Sequence, residues 1–144
     1  MARLVIDASV AAAWCFPDEE TDYTNGVLQT LSGSVEPIAP SLWAYEIRNT
    51  LLMGVKRQRI TKDSGQKLLI FLNALNVALL HPASYDVVFG LAESNGLTIY
   101  DAAYLDLAIR ENAPLASLDK ALRNAAIQCG VALFEVPSDE ERPA

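Results

Sequence analysis

The chain has 144 residues, of which 51% are hydrophobic and 20% are charged. This length and composition predict one folded domain with its own core and exclude a disordered chain. The 18 acidic and 11 basic residues leave a net charge of -7, which taken alone argues against a partner rich in phosphate. The single histidine excludes chemistry that needs two imidazoles, and the two cysteines lack zinc-binding spacing.

Strands and helices are predicted to alternate along the chain. In the first half, the pattern predicts strand 3–6, helix 8–16, helix 21–31, strand 35–39 and helix 41–57. In the second half, it predicts a helix after Thr61, strand 76–80, helix 84–93, an apolar run 97–100, helix 101–111, strand 113–118, a helix opened by Asp119, and strand 131–136. Such alternation predicts a three-layer α/β/α fold with a mainly parallel sheet.

Sequence features also limit the domain organisation and the location of the protein. We expect a single domain over residues 1–136 and a polar, flexible tail over 137–144. The first apolar run, Leu4-Val5-Ile6, is too short for a signal peptide, and no later run approaches a membrane span. Glycine-rich phosphate loops and G-x-S-x-G nucleophile turns are absent from the sequence. We therefore expect a cytoplasmic protein that does not bind a membrane.

Three aspartates follow short apolar runs and precede predicted helices: Asp7, Asp101 and Asp119. Because ligands of parallel α/β sheets bind outside the carboxyl ends of the strands, we expect all three at one edge. Glu46 lies on the predicted apolar stripe of its helix, so it is expected to point inward. The stripe consists of Leu42, Tyr45, Asn49, Leu52 and Met53. Asn49, three residues after Glu46, could hydrogen-bond to the Glu46 carboxylate or orient it.

A cluster of these four carboxylates would carry several negative charges close together. Like charges repel and raise each other's pKa unless a cation neutralises them. An oxygen-only cluster without histidine or cysteine suits Mg²⁺ or Mn²⁺, which assist phosphodiester hydrolysis. Ser9 and Ser117 could add hydroxyl contacts to metal-bound water or phosphate, since each lies two residues from one of the aspartates.

A structural role for these residues remains open at this level. An aspartate at the start of a helix commonly caps it by accepting backbone N–H groups, and any one of the three could do only that. Ser9 and Ser117 could likewise make only local turn or helix-start hydrogen bonds. The metal hypothesis therefore depends on the whole set of residues.

The sequence resembles PIN-domain ribonucleases of the VapC toxin type over nearly its whole length. The similar segments are LVIDASVAAAW, APSLWAYEIRNTL, LTIYDAAYLDLAIRENAPLASLDKAL and the closing GVALFEV. The resemblance carries the four acidic positions of that family to the same carboxylates: Asp7, Glu46, Asp101 and Asp119. Its supporting positions fall on Ser9, Asn49 and Ser117.

This resemblance implies a fold, an activity and partners. It implies the PIN-like α/β/α fold and endonucleolytic cleavage of RNA that depends on Mg²⁺ or Mn²⁺ bound by the four carboxylates. It also implies a homodimer held inactive by a cognate antitoxin, which alone would bring the complex to operator DNA.

A basic stretch offers a place for RNA on this acidic chain. Residues 48–67 contain six basic residues and one acidic residue, a local charge of +5. Its predicted RNA contacts lie around a helix–helix junction: Lys56, Arg57, Arg59 and Lys62. The alternative is a solvated helix end, where cations are also favourable.

Two other functions remain open from the sequence. A phosphatase of the haloacid-dehalogenase class also has a strand-end aspartate, but it expects D-x-D, and Ser9 stands at the second acidic position. A binding module could instead sequester RNA or a protein without cleaving it. Acid-to-amide variants would separate such sequestration from catalysis, and hydrolysis of a small phosphomonoester with a covalent intermediate at Asp7 would support the phosphatase.

Overall fold

A computed structural model of the protein describes residues 2–136. Its strands are β1 (Arg3–Ile6), β2 (Glu36–Pro40), β3 (Ala78–Leu80) and β4 (Leu115–Ala116). Its α-helices are α1 (Ala8–Cys15), α2 (Asp22–Leu31), α3 (Leu42–Lys56), α4 (Lys62–Ala74), α5 (Tyr85–Asn95), α6 (Ile99–Glu111) and α7 (Lys120–Gln128). A 3-10 helix, Pro17–Glu19, follows α1. The predicted tail, 137–144, lies outside the described residues.

The four strands form one parallel sheet in the order β3-β2-β1-β4. β1 is central: Val5 pairs with Ile38 of β2 on one side and with Leu115 of β4 on the other. Parallel strands need crossover connections, and helices supply them here. The fold confirms the predicted α/β/α class.

The buried side chains of β1 show why helices cover both sheet faces. Leu4, Val5 and Ile6 are each at most 1% exposed. Successive strand side chains point to opposite faces, and Val5 joins one apolar cluster while Leu4 and Ile6 join another. A strand buried on both faces therefore shows an unbroken apolar run in the sequence.

The apolar run 97–100 does not precede Asp101 as a strand. Gly96 ends α5 in the left-handed conformation, and the Thr98 side chain then caps α6, which begins at Ile99. These two signals leave only Leu97 between the end of one helix and the cap of the next. Asp101 consequently lies in the first turn of α6, whereas Asp7 and Asp119 follow β1 and β4 in the chain.

The predicted closing strand 131–136 is reduced to one bridge in the described structure, between Leu115 and Leu133. Leu115 donates its N–H to the Ala132 carbonyl at 2.9 Å and accepts from the Phe134 N–H at 2.8 Å. β4 itself is only two residues long.

The predicted apolar stripe of α3 is wrong. Its buried residues are Trp43, Ile47, Leu51 and Gly54. Tyr45 is 80% exposed and Leu52 is 52% exposed, while Asn49 also faces solvent. Both sets of residues have helical spacing, so periodicity alone could not choose the face that packs inward.

No helix within residues 2–136 is both long enough and apolar enough to cross a membrane.

Candidate functional site

Asp7 is placed by the hydrogen bonding of the sheet. Its backbone N–H donates to the Ala116 carbonyl at 3.0 Å, so the end of β1 lies beside the end of β4. The residue is only 6% exposed. Asp7 occupies the N-cap position of α1, but its carboxylate makes no capping hydrogen bond. A capping role does not account for this aspartate.

Two serine hydroxyls hold the Asp7 carboxylate. Ser9 Oγ donates to Asp7 Oδ2 at 2.9 Å, and Ser117 Oγ donates to the same oxygen at 2.6 Å. The Ser9 hydroxyl accepts the N–H of Leu118, and the Ser117 hydroxyl accepts the N–H of Asp119, both at 3.0 Å. The two serines thus connect Asp7 to the loop after β4 and leave Oδ1 free of both hydroxyls.

Asp119 and Asp101 both lie near the beginning of a helix. Asp119 caps α7, because its Oδ2 accepts the Leu122 N–H at 2.8 Å. Asp101 leaves the capping of α6 to Thr98, whose hydroxyl accepts the Asp101 N–H at 3.1 Å. The capping interpretation therefore holds for Asp119 and fails for Asp101.

Glu46 reaches the same region from α3. The Tyr104 hydroxyl of α6 donates to Glu46 Oε1 at 2.7 Å. Burial and the adjacent Glu46 carboxylate raise the pKa of Tyr104, so its hydroxyl keeps its proton and remains the donor. Asn49 is exposed on α3, and no hydrogen bond joins it to Glu46 in the described chain.

The four carboxylates form one electrostatic cluster. Burial raises the pKa of Asp7. Burial also raises the pKa of Glu46, and the charges of Asp7 and Asp101 raise it further. The pKa of Asp101 is raised by burial and then by the charges of Asp119 and Asp7. Three chain segments and the loop after β4 therefore bring together the acids that the sequence singled out.

No basic side chain balances this charge among residues 2–136, since none of the four carboxylates forms an ion pair there. The donors are all oxygens, which suits a hard divalent cation. Within the same residues, no three acidic, thiol or imidazole groups already converge as metal ligands. Mg²⁺ keeps several waters and commonly uses one or two protein carboxylates, so the residues fit that ion.

One of the four predicted RNA contacts already forms ion pairs within the protein, and the other three do not. Arg59 is paired with Asp18 at 3.0 Å and with Glu19 at 2.9 Å, and its guanidinium lies 4.1 Å from the centre of the Phe16 ring. Lys56, Arg57 and Lys62 are exposed, and they form no ion pair in the described part of the chain. Three cations, rather than four, remain available at this junction.

Tyr104 is the member of the site that sequence reasoning missed. It lies three residues after Asp101, so both residues share one face of α6. The three-residue spacing from Asp101 was the sequence signal that could have indicated that Tyr104 lies near the site. Its partner Glu46 is 58 residues away, which no local pattern could identify.

Comparison with known proteins points to one family. The family model described as "PIN domain" matches residues 4–128. Ribonuclease VapC3 of Pyrobaculum aerophilum is 33% identical over 124 residues, which cover 83% of this chain and 92% of that protein.

Solved structures share the fold at lower identity. PAE2754 from Pyrobaculum aerophilum has a TM-score of 0.66 and 21% identity, covering 86% of both chains. VapBC2 from Rickettsia felis, bound to a DNA fragment from its promoter, has a TM-score of 0.64 and 17% identity, covering 92% of this chain and 97% of the other. FitAcB from Neisseria gonorrhoeae has a TM-score of 0.63 and 17% identity, covering 92% and 96%.

Proposed function

The chain belongs to the PIN-domain family, within its VapC type, and from this premise we propose that it is a metal-dependent endoribonuclease acting as a toxin. One observation carries the proposal. Asp7, Glu46 and Asp101 lie close enough that burial raises the pKa of all three and neighbouring carboxylates raise it further at Glu46 and Asp101, while no basic side chain of residues 2–136 forms an ion pair with them. A cluster of one buried and three partly buried carboxylates is costly unless it binds a cation.

The proposed metal ligands are Asp7, Glu46, Asp101 and Asp119, directly or through water. When bound, Mg²⁺ or Mn²⁺ would polarise the phosphoryl group and favour ionisation of the attacking water. Ser9 and Ser117 hold one oxygen of Asp7, so the other oxygen keeps a fixed direction. Asp119 retains one oxygen that does not cap α7. Asn49 is not part of the proposed site, because it is exposed on α3 and makes no hydrogen bond to Glu46 within residues 2–136.

We propose that the free cations at the α3–α4 junction bind the RNA backbone. Arg57 follows Glu46 by eleven residues, about 16 Å along a helix at roughly 1.5 Å per residue. At that separation, Lys56, Arg57 and Lys62 would contact phosphates beyond the one being cleaved. Such contacts add affinity without reading the base sequence.

The proposed partners are a cognate antitoxin and a second copy of the chain. The related VapBC2 structure is a complex bound to promoter DNA, which supports an antitoxin and operator binding through it. Large apolar side chains of α5 and α6 are exposed, including Tyr85, Phe89 and Tyr100. Tyr85 and Phe89 lie four residues apart on one face of α5, and contiguous exposed apolar side chains are typical of protein interfaces. A cytoplasmic location follows from this proposal.

Cleavage of a single-stranded RNA by the purified protein tests the proposed activity. We expect cleavage with Mg²⁺ or Mn²⁺, none in EDTA, and roughly a hundredfold loss for Asp7→Asn or Asp101→Asn. Asp86→Asn is the matched control, because Asp86 is an exposed aspartate in the first turn of α5. Full cleavage in EDTA would exclude the metal mechanism. Binding of RNA without cleavage by the wild type would favour the sequestering module.

A further inference from the structure

Tyr104 is buried where the active-site helix α6 packs against the rest of the protein. It is 1% exposed and belongs to the main apolar cluster, together with Trp43 and Ile47 of α3. Only the hydroxyl takes part in polar contact with the site, donating to Glu46 Oε1 at 2.7 Å. A tyrosine ring fixed by packing gives this hydroxyl a defined position.

Glu46 has little else to define its side-chain direction. Within residues 2–136, the Tyr104 hydroxyl is the one group that donates a hydrogen bond to its carboxylate. The neighbouring Thr50 hydroxyl bonds to the Glu46 backbone carbonyl at 3.0 Å and leaves the side chain untouched. A half-buried glutamate with several rotatable bonds loses considerable rotamer entropy when it is held in one geometry.

The geometry points to Tyr104 as a positioning residue that holds Glu46 Oε1, which would leave Oε2 available to the divalent cation. Asp101 lies three residues earlier on the same face of α6. This helix thus supplies one carboxylate of the cluster and the hydroxyl that orients a second, as partners of metal ligands commonly do. The inference rests on the proposed function, because it assigns a task within that same metal site.

Equilibrium Mn²⁺ binding to the RNA-free full chain tests this role, with cleavage measured across Mg²⁺ concentrations. Tyr104→Phe removes the hydroxyl and leaves the ring in the core, and thermal unfolding checks that the variant is folded. We expect the Mn²⁺ dissociation constant to rise roughly tenfold. Cleavage should fall at low Mg²⁺ and recover at high Mg²⁺, which a general loss of structure would not allow.

Two further variants make the test specific to the hydrogen bond. Tyr45→Phe is the matched control, since Tyr45 precedes Glu46 in α3 but is 80% exposed. It should bind Mn²⁺ as the wild type does. The double variant Tyr104→Phe/Glu46→Gln should bind Mn²⁺ no more weakly than Glu46→Gln alone, because the hydroxyl acts through that carboxylate.

The results separate this inference from the proposed function. If the wild type binds Mn²⁺ and cleaves RNA while Tyr104→Phe matches it at every metal concentration, the positioning role is wrong and the proposed function stands. An additive loss in the double variant also overturns the role, because Tyr104 would then act elsewhere. A wild type that binds no Mn²⁺ overturns both the proposed metal site and the role of Tyr104.

Discussion

At Asp7 the protein keeps a carboxylate where burial favours a neutral side chain. Burial raises the pKa of Asp7, and the hydrogen bonds from Ser117 and Ser9 offset only part of that effect. The two hydroxyls would bond to a neutral amide oxygen as well. We therefore expect the charge to lower the stability of the metal-free fold, as is typical of a functional residue.

Replacing Asp7 is expected to separate stability from metal binding. In EDTA at neutral pH, Asp7→Asn should unfold at a higher temperature than the wild type, because the buried charge is gone. With Mg²⁺ at about a hundred times its dissociation constant, the wild type should gain roughly 2.7 kcal/mol and the variant much less. Thermal unfolding in both buffers measures the two effects. A variant that is less stable in EDTA and equally stabilised by Mg²⁺ would contradict this account of Asp7.

The stability difference should also depend on pH. The ordinary pKa of an aspartate is 3.8, and the pKa of Asp7 in the folded protein lies above it. Between these two values Asp7 binds more protons in the folded state than in the unfolded chain, so its own contribution to metal-free stability becomes more favourable as the pH falls through the raised pKa.

The advantage of Asp7→Asn over the wild type should therefore shrink as the pH is lowered in EDTA. Urea unfolding at a series of pH values from neutral to acidic measures it. An advantage that is constant over the series, or that grows toward acidic pH, would show that the charge of Asp7 is not its cause.

At the scale of elements, the sequence predicted which segments form strands and helices better than it predicted which face of each helix is buried. Short apolar runs predicted β1 and β4, and the ends of these two strands lie near Asp7 and Asp119 as expected. Helix α3 carried two sets of residues with helical spacing, and the choice between them depends on packing against Phe16 and Tyr104, which are distant in sequence. The Thr98 cap makes α6 begin at Ile99, inside the apolar run 97–100. The apolar character of that run alone does not show where the helix begins.

The contact between α3 and Phe16 makes one glycine essential to packing. A Cβ at Gly54 would lie 2.9 Å from Phe16 Cε1 and Cζ. Phe16 is 2% exposed, and the Arg59 guanidinium lies over its ring, so it has little freedom to move. Gly54 therefore sets how closely α3 approaches the end of α1.

Alanine substitutions at two helical glycines should change stability in opposite directions. Gly54→Ala should destabilise the protein by about 1–3 kcal/mol through overpacking against Phe16. Gly90→Ala in α5 should stabilise it by roughly 0.5–1 kcal/mol, because a Cβ there meets nothing within 4 Å. Urea unfolding measures both changes. A stabilising Gly54→Ala would contradict the close contact between α3 and Phe16.

Across the whole molecule, charge is separated in a way that the total conceals. A net charge of -7 contains a local +5 over residues 48–67. The acidic cluster lies around the carboxyl end of the central strand β1, while the exposed cations lie at the α3–α4 junction. Composition therefore could not exclude a phosphate-rich partner, whereas the order of residues along the chain identified both regions.

Two neighbouring arginines should contribute unequally to RNA binding. Arg57→Gln should lower the slope of log affinity against log salt by about 0.7, because one phosphate contact is lost on a single strand. Arg59→Gln should change the slope much less, since Arg59 is already paired with Asp18 and Glu19. RNA binding in a cleavage-deficient Asp101→Asn background measures both slopes. Equal slopes for the two variants would contradict the assignment of the free cations.

The central claim is that the four carboxylates jointly hold a divalent cation. Anomalous diffraction from crystals of the protein with Mn²⁺ locates the ion directly. We expect a peak among Asp7, Glu46, Asp101 and Asp119, at about 2.0–2.3 Å from at least one carboxylate oxygen, and no such peak for Asp7→Asn under the same conditions. A fully occupied Mn²⁺ bound elsewhere, with no peak at these carboxylates, would contradict the claim.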